Sequence, residues 1–352
     1  MHSYRVFISY SHSDRHFVER LVEALDKAGV TPLWDNDLLP GTGFSDQIQS
    51  FTINSHVLMP FITTASAERP WLHQEIGFAI ALGKPVLPVI LGGLPLGIIS
   101  GIQAVQLRED LADAPIKLLA EYIRRLVDGM PDRPASYECP EDNTRRALLL
   151  ARYADSVWAI QRSGQVRQMA SLTTFHLPDR GAADPVWKKY FPGTPDDRFL
   201  FEALRRERVA LQRHARKSGC WLILDPVERL ENVYRRHGPS SVRARVSGLL
   251  QFLRDDSLPD VVVAINDDAE RMSSVTLVGD WFSSEAVSSG GKRVIREAFF
   301  TRDALTVRQQ IEDFDNRMRD LLAVCGWDAK AARAEAVSYL QAYLDKLSDQ
   351  QR

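Results

Sequence analysis

Cysteine is scarce. Cys139, Cys220 and Cys325 are the only three in 352 residues and lie far apart, which excludes a disulfide framework and the Cys-x-x-Cys spacing of a zinc site. An excess of one charge is missing as well. A formal net charge of -2 gives no global reason to expect nucleic acid, so only local patches could serve that role. No stretch stays apolar for the length of a membrane span, and Met1-His-Ser-Tyr4 lacks the basic-then-apolar order of a signal peptide. A cytoplasmic protein with no membrane partner is therefore expected. No Gly-x-Gly-x-x-Gly follows a strand-like segment, which removes a Rossmann dehydrogenase, and no metal-ligand cluster stands out.

What is present is an ordinary globular mixture, 45% hydrophobic and 26% charged, on a chain too long for one core. Two domains are expected. Tyr4 to Tyr10 is β-branched and aromatic and runs into the polar cluster Ser11-His-Ser-Asp14, a strand leading to a helix cap. Phe17, Val18, Leu21, Val22, Leu25 and Ala28 then recur at helical spacing up to Gly29. Val30 to Asp35 is a second strand, which Pro32 places at an edge unless the proline only starts the strand. The loop through Pro40, Gly41 and Gly43 permits unusual dihedrals and close approach. Ser45 is expected to cap a helix carrying Ile48, Phe51 and Ile53, and Val57 to Ile62 and Pro85 to Leu91 are further strands. Strands alternating with helices imply a parallel sheet covered on both faces, with ligands beyond the carboxyl ends of the strands.

The stretch Ser66-Ala-Glu-Arg-Pro-Trp71-Leu-His-Gln-Glu75 carries the chemistry. Pro70 suits a first helical turn and Gly83 a stop, so a helix is expected over 71–82 with Trp71 and Glu75 on one face. A carboxylate one turn from an indole could stabilise a developing cation while the ring excludes water or stacks on a planar group. The competing account makes Trp71 core and Glu75 a solvated surface residue.

Four motifs occur in order: Val6-Phe-Ile-Ser-Tyr-Ser-His-Ser-Asp14, Leu33-Trp-Asp35 leading to Pro40-Gly41, Ser66 with Trp71 and Glu75, and Gly83-Lys-Pro-Val-Leu-Pro-Val89. On these, residues 4 to about 128 resemble a Toll/interleukin-1 receptor (TIR) domain. The resemblance implies a flavodoxin-like, doubly wound parallel five-stranded sheet. In the enzymatic branch of the family it also implies cleavage of NAD+, as substrate rather than cofactor, at the nicotinamide–ribose bond. The family's catalytic glutamate falls on Glu75, and its assembly loop on Leu39, Pro40, Gly41, Gly43 and Phe44. Phe7, Ser9, Tyr10, Trp34, Asp35 and Trp71 are candidate substrate contacts. Core packing remains the alternative for Phe7 and Trp34, and helix capping for Ser9 and Asp14.

A TIR domain of 1–128 and a proline-rich linker of 129–140 are followed by a second, mixed α/β domain over 141–352 that matches no family we recognise. Helices are expected over 141–161, 198–217, 304–325 and 329–347, and strands over 169–175, 221–225, 261–265, 274–279 and 293–301. Trp187, Tyr190 and Phe191 fall in a long loop. Arg205, Arg208, Lys292 and Arg293 are candidates to hold a small anionic signal such as a nucleotide, or a nucleic-acid or protein partner. A solvated helix face balanced by Glu202 and Glu207 is the alternative. Joined to an unrelated C-terminal module, such a TIR domain resembles prokaryotic antiviral effectors that self-associate into oligomers or filaments and deplete NAD+. A non-catalytic TIR scaffold is the competing expectation.

Overall fold

A computed structural model describes residues 4–34, 44–64, 66, 70–91, 101–108, 113–129, 137–138, 140, 142–192, 197–234, 237–266, 273–288 and 295–349. The chain divides into two compact units, Met1–Ala135 with Ser156–Arg162, and Ser136–Asp155 with Ser163–Arg352.

In the first unit the strands are β1 (Tyr4–Ser9), β2 (Val30–Leu33), β3 (Val57–Ile62), β4 (Val89–Ile90) and β5 (Val105–Gln106). They form one five-stranded sheet in the order β2-β1-β3-β4-β5, with every pairing parallel. This is the α/β arrangement expected. Helices α1 (Arg15–Lys27) and α4 (Asp113–Asp128) pack together, as do α2 (Phe44–Asn54) and α3 (Pro70–Ala81). Side chains alternate across β1, so Phe7 meets Phe51 of α2 while Val6 and Ile8 fill the opposite face, and all three are buried. Pro32 does sit on the edge strand β2, opposite Val6, where its missing N–H leaves no gap in the ladder.

The differences from expectation are local. Pro85 and Pro88 each lack a donor, and the expected strand over 85–91 shrinks to Val89–Ile90 with an isolated bridge from Val86 to Leu58. α2 begins at Phe44, which puts Ser45 inside the first turn instead of at the cap. α3 opens on Pro70 and ends as expected: Gly83, at φ +67°, lets Lys84 N–H reach the Ala79 carbonyl at 2.9 Å.

The second unit holds a seven-stranded mixed sheet. Its strands are β6 (Tyr137–Glu138), β7 (Val166–Ala170), β8 (Cys220–Leu224), β9 (Val261–Ile265), β10 (Ser273–Val278), β11 (Phe282–Ser288) and β12 (Ile295–Thr301), in the order β6-β12-β11-β10-β7-β8-β9. β7, β8 and β9 run parallel, whereas β10 pairs antiparallel with β7 and starts an antiparallel half. β7 is the seam. The helices are α5 (Asn143–Ala159), α6 (Trp187–Tyr190), α7 (Arg198–Ser218), α8 (Val227–Val233), α9 (Gly238–Leu253), α10 (Ala304–Cys325) and α11 (Ala332–Asp349). On one face of β7 Arg167 reaches Asp315 of α10 at 2.6 Å, and Ile223, Val262, Leu277, Phe314 and Met318 share a core there.

Two expectations for this unit are corrected, and two elements are new. The strand placed over 169–175 runs over 166–170, and Thr174–His176 form a 3-10 turn in which Gln168 accepts the Thr174 N–H at 2.8 Å. The aromatic loop is core: Trp187 stacks on Phe201 at 5.0 Å and is nearly fully buried. α9 and β11 escaped the sequence reading altogether, although Val242, Val246, Leu249, Leu250 and Leu253 of α9 are all buried.

Gly248 lets α9 lie against the 3-10 turn. A Cβ there would run into the His176 carbonyl oxygen and come within 2.8 Å of the Tyr190 hydroxyl. Gly248→Ala is therefore expected to destabilise the fold by about 1–3 kcal/mol, despite the gain of about 1 kcal/mol in helix propensity. Denaturant unfolding of the full chain measures this, and an unchanged or raised midpoint would show that α9 does not pack this closely.

Candidate functional site

The carboxyl ends of β1 and β3 meet at the point where the chain leaves in opposite directions along the sheet, the crevice where open α/β sheets bind ligands. Two loops are tied together there. The Thr63 hydroxyl donates to Asp14 Oδ2 at 3.0 Å, and Ser66 Oγ accepts the Thr63 N–H at 2.8 Å. Asp14 stands at the N-cap position of α1, yet its side chain makes no cap hydrogen bond and braces Thr63 instead.

α3 carries Glu75 into this region and buries it, leaving 6% of the residue exposed. Ser9, the last residue of β1, is buried beside it. Burial out of water raises the Glu75 pKa from 4.5 to about 7, and the nearby Ser9 hydroxyl offsets only part of that rise. Their approach falls short of a made hydrogen bond, because Ser9 Oγ and Glu75 Oε2 are both buried without a partner. Glu75 makes no ion pair among the described residues, and its Oε2 is left without a hydrogen-bond partner there.

The other candidates fall into separate places. Tyr10 is buried, 6.4 Å from the Trp34 ring, and the Arg15 guanidinium lies 5.7 Å over the same indole. Trp71 is half-buried on α3. Phe7 stacks on Phe51 at 5.4 Å and belongs to the core between β1 and α2. Phe44 opens α2, and nothing is described of its side chain. Asp35, Leu39, Pro40, Gly41 and Gly43 lie outside the described residues.

In the second unit, Arg205 pairs with Glu202 at 2.7 Å on the surface of α7. Arg208 is buried, bonded to Gln212 at 2.6 Å and 3.6 Å from Asp179. Lys292 and Arg293 lie outside the described residues. The arginines that line a cavity here are Arg146 and Arg245, which sequence reasoning passed over. The available signal for Arg245 was its register with Val242 and Leu249 on the apolar face of α9, an unusual place for a cation.

The raised pKa of Glu75 has a sign that can be tested. Its folded value lies above the unfolded one, so its contribution to stability is fully present below pH 4.5 and is lost as pH rises through about 7. Glu75→Gln removes that loss. It is expected to stabilise the protein by about 2–3 kcal/mol at pH 8 and to change little at pH 4.5. Thermal unfolding of the full-length variant and parent at the two pH values checks this. A gain of equal size at both would show that the carboxyl is not desolvated.

A family profile described as TIR domain matches residues 6–120. The solved TIR domain of the Toll-related receptor TRR-2 from Hydra magnipapillata is 20% identical, covering 34% of this chain and 97% of that one with a TM-score of 0.31. TrmBL2, an archaeal chromatin protein, is 9% identical over 59% of this chain and 62% of its own, with a TM-score of 0.30. A TIR-STING receptor from C. gigas in complex with 2',3'-cGAMP is 13% identical over 75% of this chain and 90% of its own, with a TM-score of 0.28. No curated protein sequence matches the chain. The profile match, the order of the motifs and the all-parallel sheet agree: the first unit of this chain is a TIR domain.

Proposed function

We propose that this protein cleaves NAD+ between nicotinamide and ribose, with Glu75 as its catalytic carboxylate. TIR domains serve in signalling or as NADases, and the buried, unpaired Glu75 oxygen is the observation that favours the second. When the C–N bond to nicotinamide breaks, the electron pair leaves with the ring nitrogen and neutralises its charge, so no general acid is needed. The sugar left behind is oxocarbenium-like. A carboxylate against the ribose hydroxyls stabilises that cation, and more strongly out of water than in it. Water then adds to the anomeric carbon and gives up a proton, leaving ADP-ribose; capture by the adenine ring would give the cyclic product instead.

The raised pKa suits this role only if substrate binding favours ionisation. The pyridinium charge of NAD+ does so, since an opposite charge entering a dry site draws the neighbouring carboxylate toward its ionised form. In this reading Ser9 positions Glu75 and holds its pKa down, while Trp71 and the Tyr10–Trp34 pair are the rings available to the dinucleotide. Self-association through the loop at 36–44 completes the site, and the second unit governs that step. The outcome is NAD+ depletion, as in a prokaryotic antiviral effector.

Nicotinamide release by the full chain under crowding is expected to fall by about 10²–10⁴ in Glu75→Gln. At low substrate concentration, activity of the parent should rise with pH through about 7 as Glu75 ionises, and Ser9→Ala should move that limb to higher pH. Equal, absent release in parent and Glu75→Ala would favour the non-catalytic scaffold, and an unmoved limb in Ser9→Ala would remove Ser9 from the site.

A further inference from the structure

Over the sheet toward the carboxyl end of β7, the second unit holds a half-open cavity of about 320 Å³. It lies between the sheet and helices α5, α7 and α9. Its charged groups are not balanced alike. The Glu207 carboxylate, 1% exposed, accepts from Arg146 at 3.2 Å and from the Thr174 hydroxyl at 2.7 Å. That negative charge is answered.

Arg245 is different. Only 3% of it is exposed, and its hydrogen-bond partners among the described residues are neutral: Ser241 Oγ at 3.1 Å, the Tyr190 carbonyl at 2.7 Å and His176 Nε2 at 2.7 Å. The imidazole must be uncharged to accept there. Its Nδ1 donates to the Thr173 carbonyl at 2.5 Å, and burial, reinforced by the Arg245 charge, holds its pKa well below the ordinary value. The Tyr234 and Phe191 rings flank the guanidinium at 4.4 and 4.7 Å. No carboxylate among the described residues pairs with Arg245.

A buried cation that meets only dipoles and ring faces keeps most of its desolvation cost, and that cost is relieved when an anion arrives. The remaining lining fits an anion with several acceptor oxygens, because the hydroxyl-bearing residues Ser274, Thr276 and Ser284 border the same space. The volume is at the lower end of the roughly 300–1,000 Å³ of small-molecule pockets, more than an inorganic ion needs. We propose that this cavity binds a phosphate ester of about mononucleotide size, with Arg245 as its charge partner. The site does not depend on NAD+ cleavage by the first unit.

Thermal unfolding and calorimetric titration of the full chain with AMP, ribose 5-phosphate, inorganic phosphate and adenosine, at matched ionic strength, test the proposal. The esters are expected to raise Tm in proportion to the logarithm of their concentration, and adenosine is expected to leave it unchanged. Arg245→Met replaces the unpaired charge with an apolar side chain and is expected to weaken ester binding at least about thirtyfold. Ala170→Leu fills the cavity without touching a charge and should abolish binding, so it decides the matter if the first variant does not fold. No Tm shift from either ester, a shift of the same size in both variants, or a response to inorganic phosphate alone would each overturn the proposal.

Discussion

Burial of the Glu75 carboxyl raises the free energy of its charged form, and the first unit tolerates this without relieving it. Among the described residues no cation pairs with the group, and the Ser9 hydroxyl stops short of a hydrogen bond. An arginine at that point would have held the carboxylate ionised and also occupied its lone pairs. Leaving it unpaired keeps the oxygen available to a ligand at the expense of stability, a familiar trade at functional sites. The surrounding order is what makes this sustainable. Phe7 and Phe51 fix β1 against α2, the Asp14–Thr63 bond fixes the two strand-end loops, and the Gly83 turn closes α3.

The second unit shows the same principle with the sign reversed. Arg245 is a cation set among a neutral imidazole, a carbonyl and aromatic faces, while Glu207 nearby has both a charged and a hydroxyl partner. Neutral contacts orient the guanidinium without cancelling its charge. Glu75 in the first unit and Arg245 in the second are thus both deeply buried ionisable groups that no oppositely charged group among the described residues neutralises.

Much of the first unit could be read from residue order. β3 runs where its apolar stretch placed it, Pro32 marked an edge, and Pro70 and Gly83 framed α3, because each of these signals is local. The environment of Glu75 was not readable: spacing put it one turn from Trp71, but only the packed structure shows the residue buried, with Oε2 left without a partner among the described residues. In the second unit local signals gave way to tertiary ones. Thr174 leaves the strand because Gln168 captures its N–H from across the turn, and Arg205 spends its charge on Glu202. The basic residues of α7 were conspicuous in sequence because they cluster. Arg245 was not, since with Arg243 it is one of only two cations on α9 and sits in register with that helix's apolar residues.

The connectivity of the two sheets sets an order on the ribosome. In the TIR domain Val6 finds its partner at Val57, so strand pairing there draws on neighbours made soon after one another. In the second sheet Tyr137 pairs with Thr301, and α11, which follows still later, covers α9 and β9. Long-range pairings of this kind form late, because a large loop must close before any contact rewards it. During synthesis the strands of the TIR domain are all made before the second unit's sheet can close.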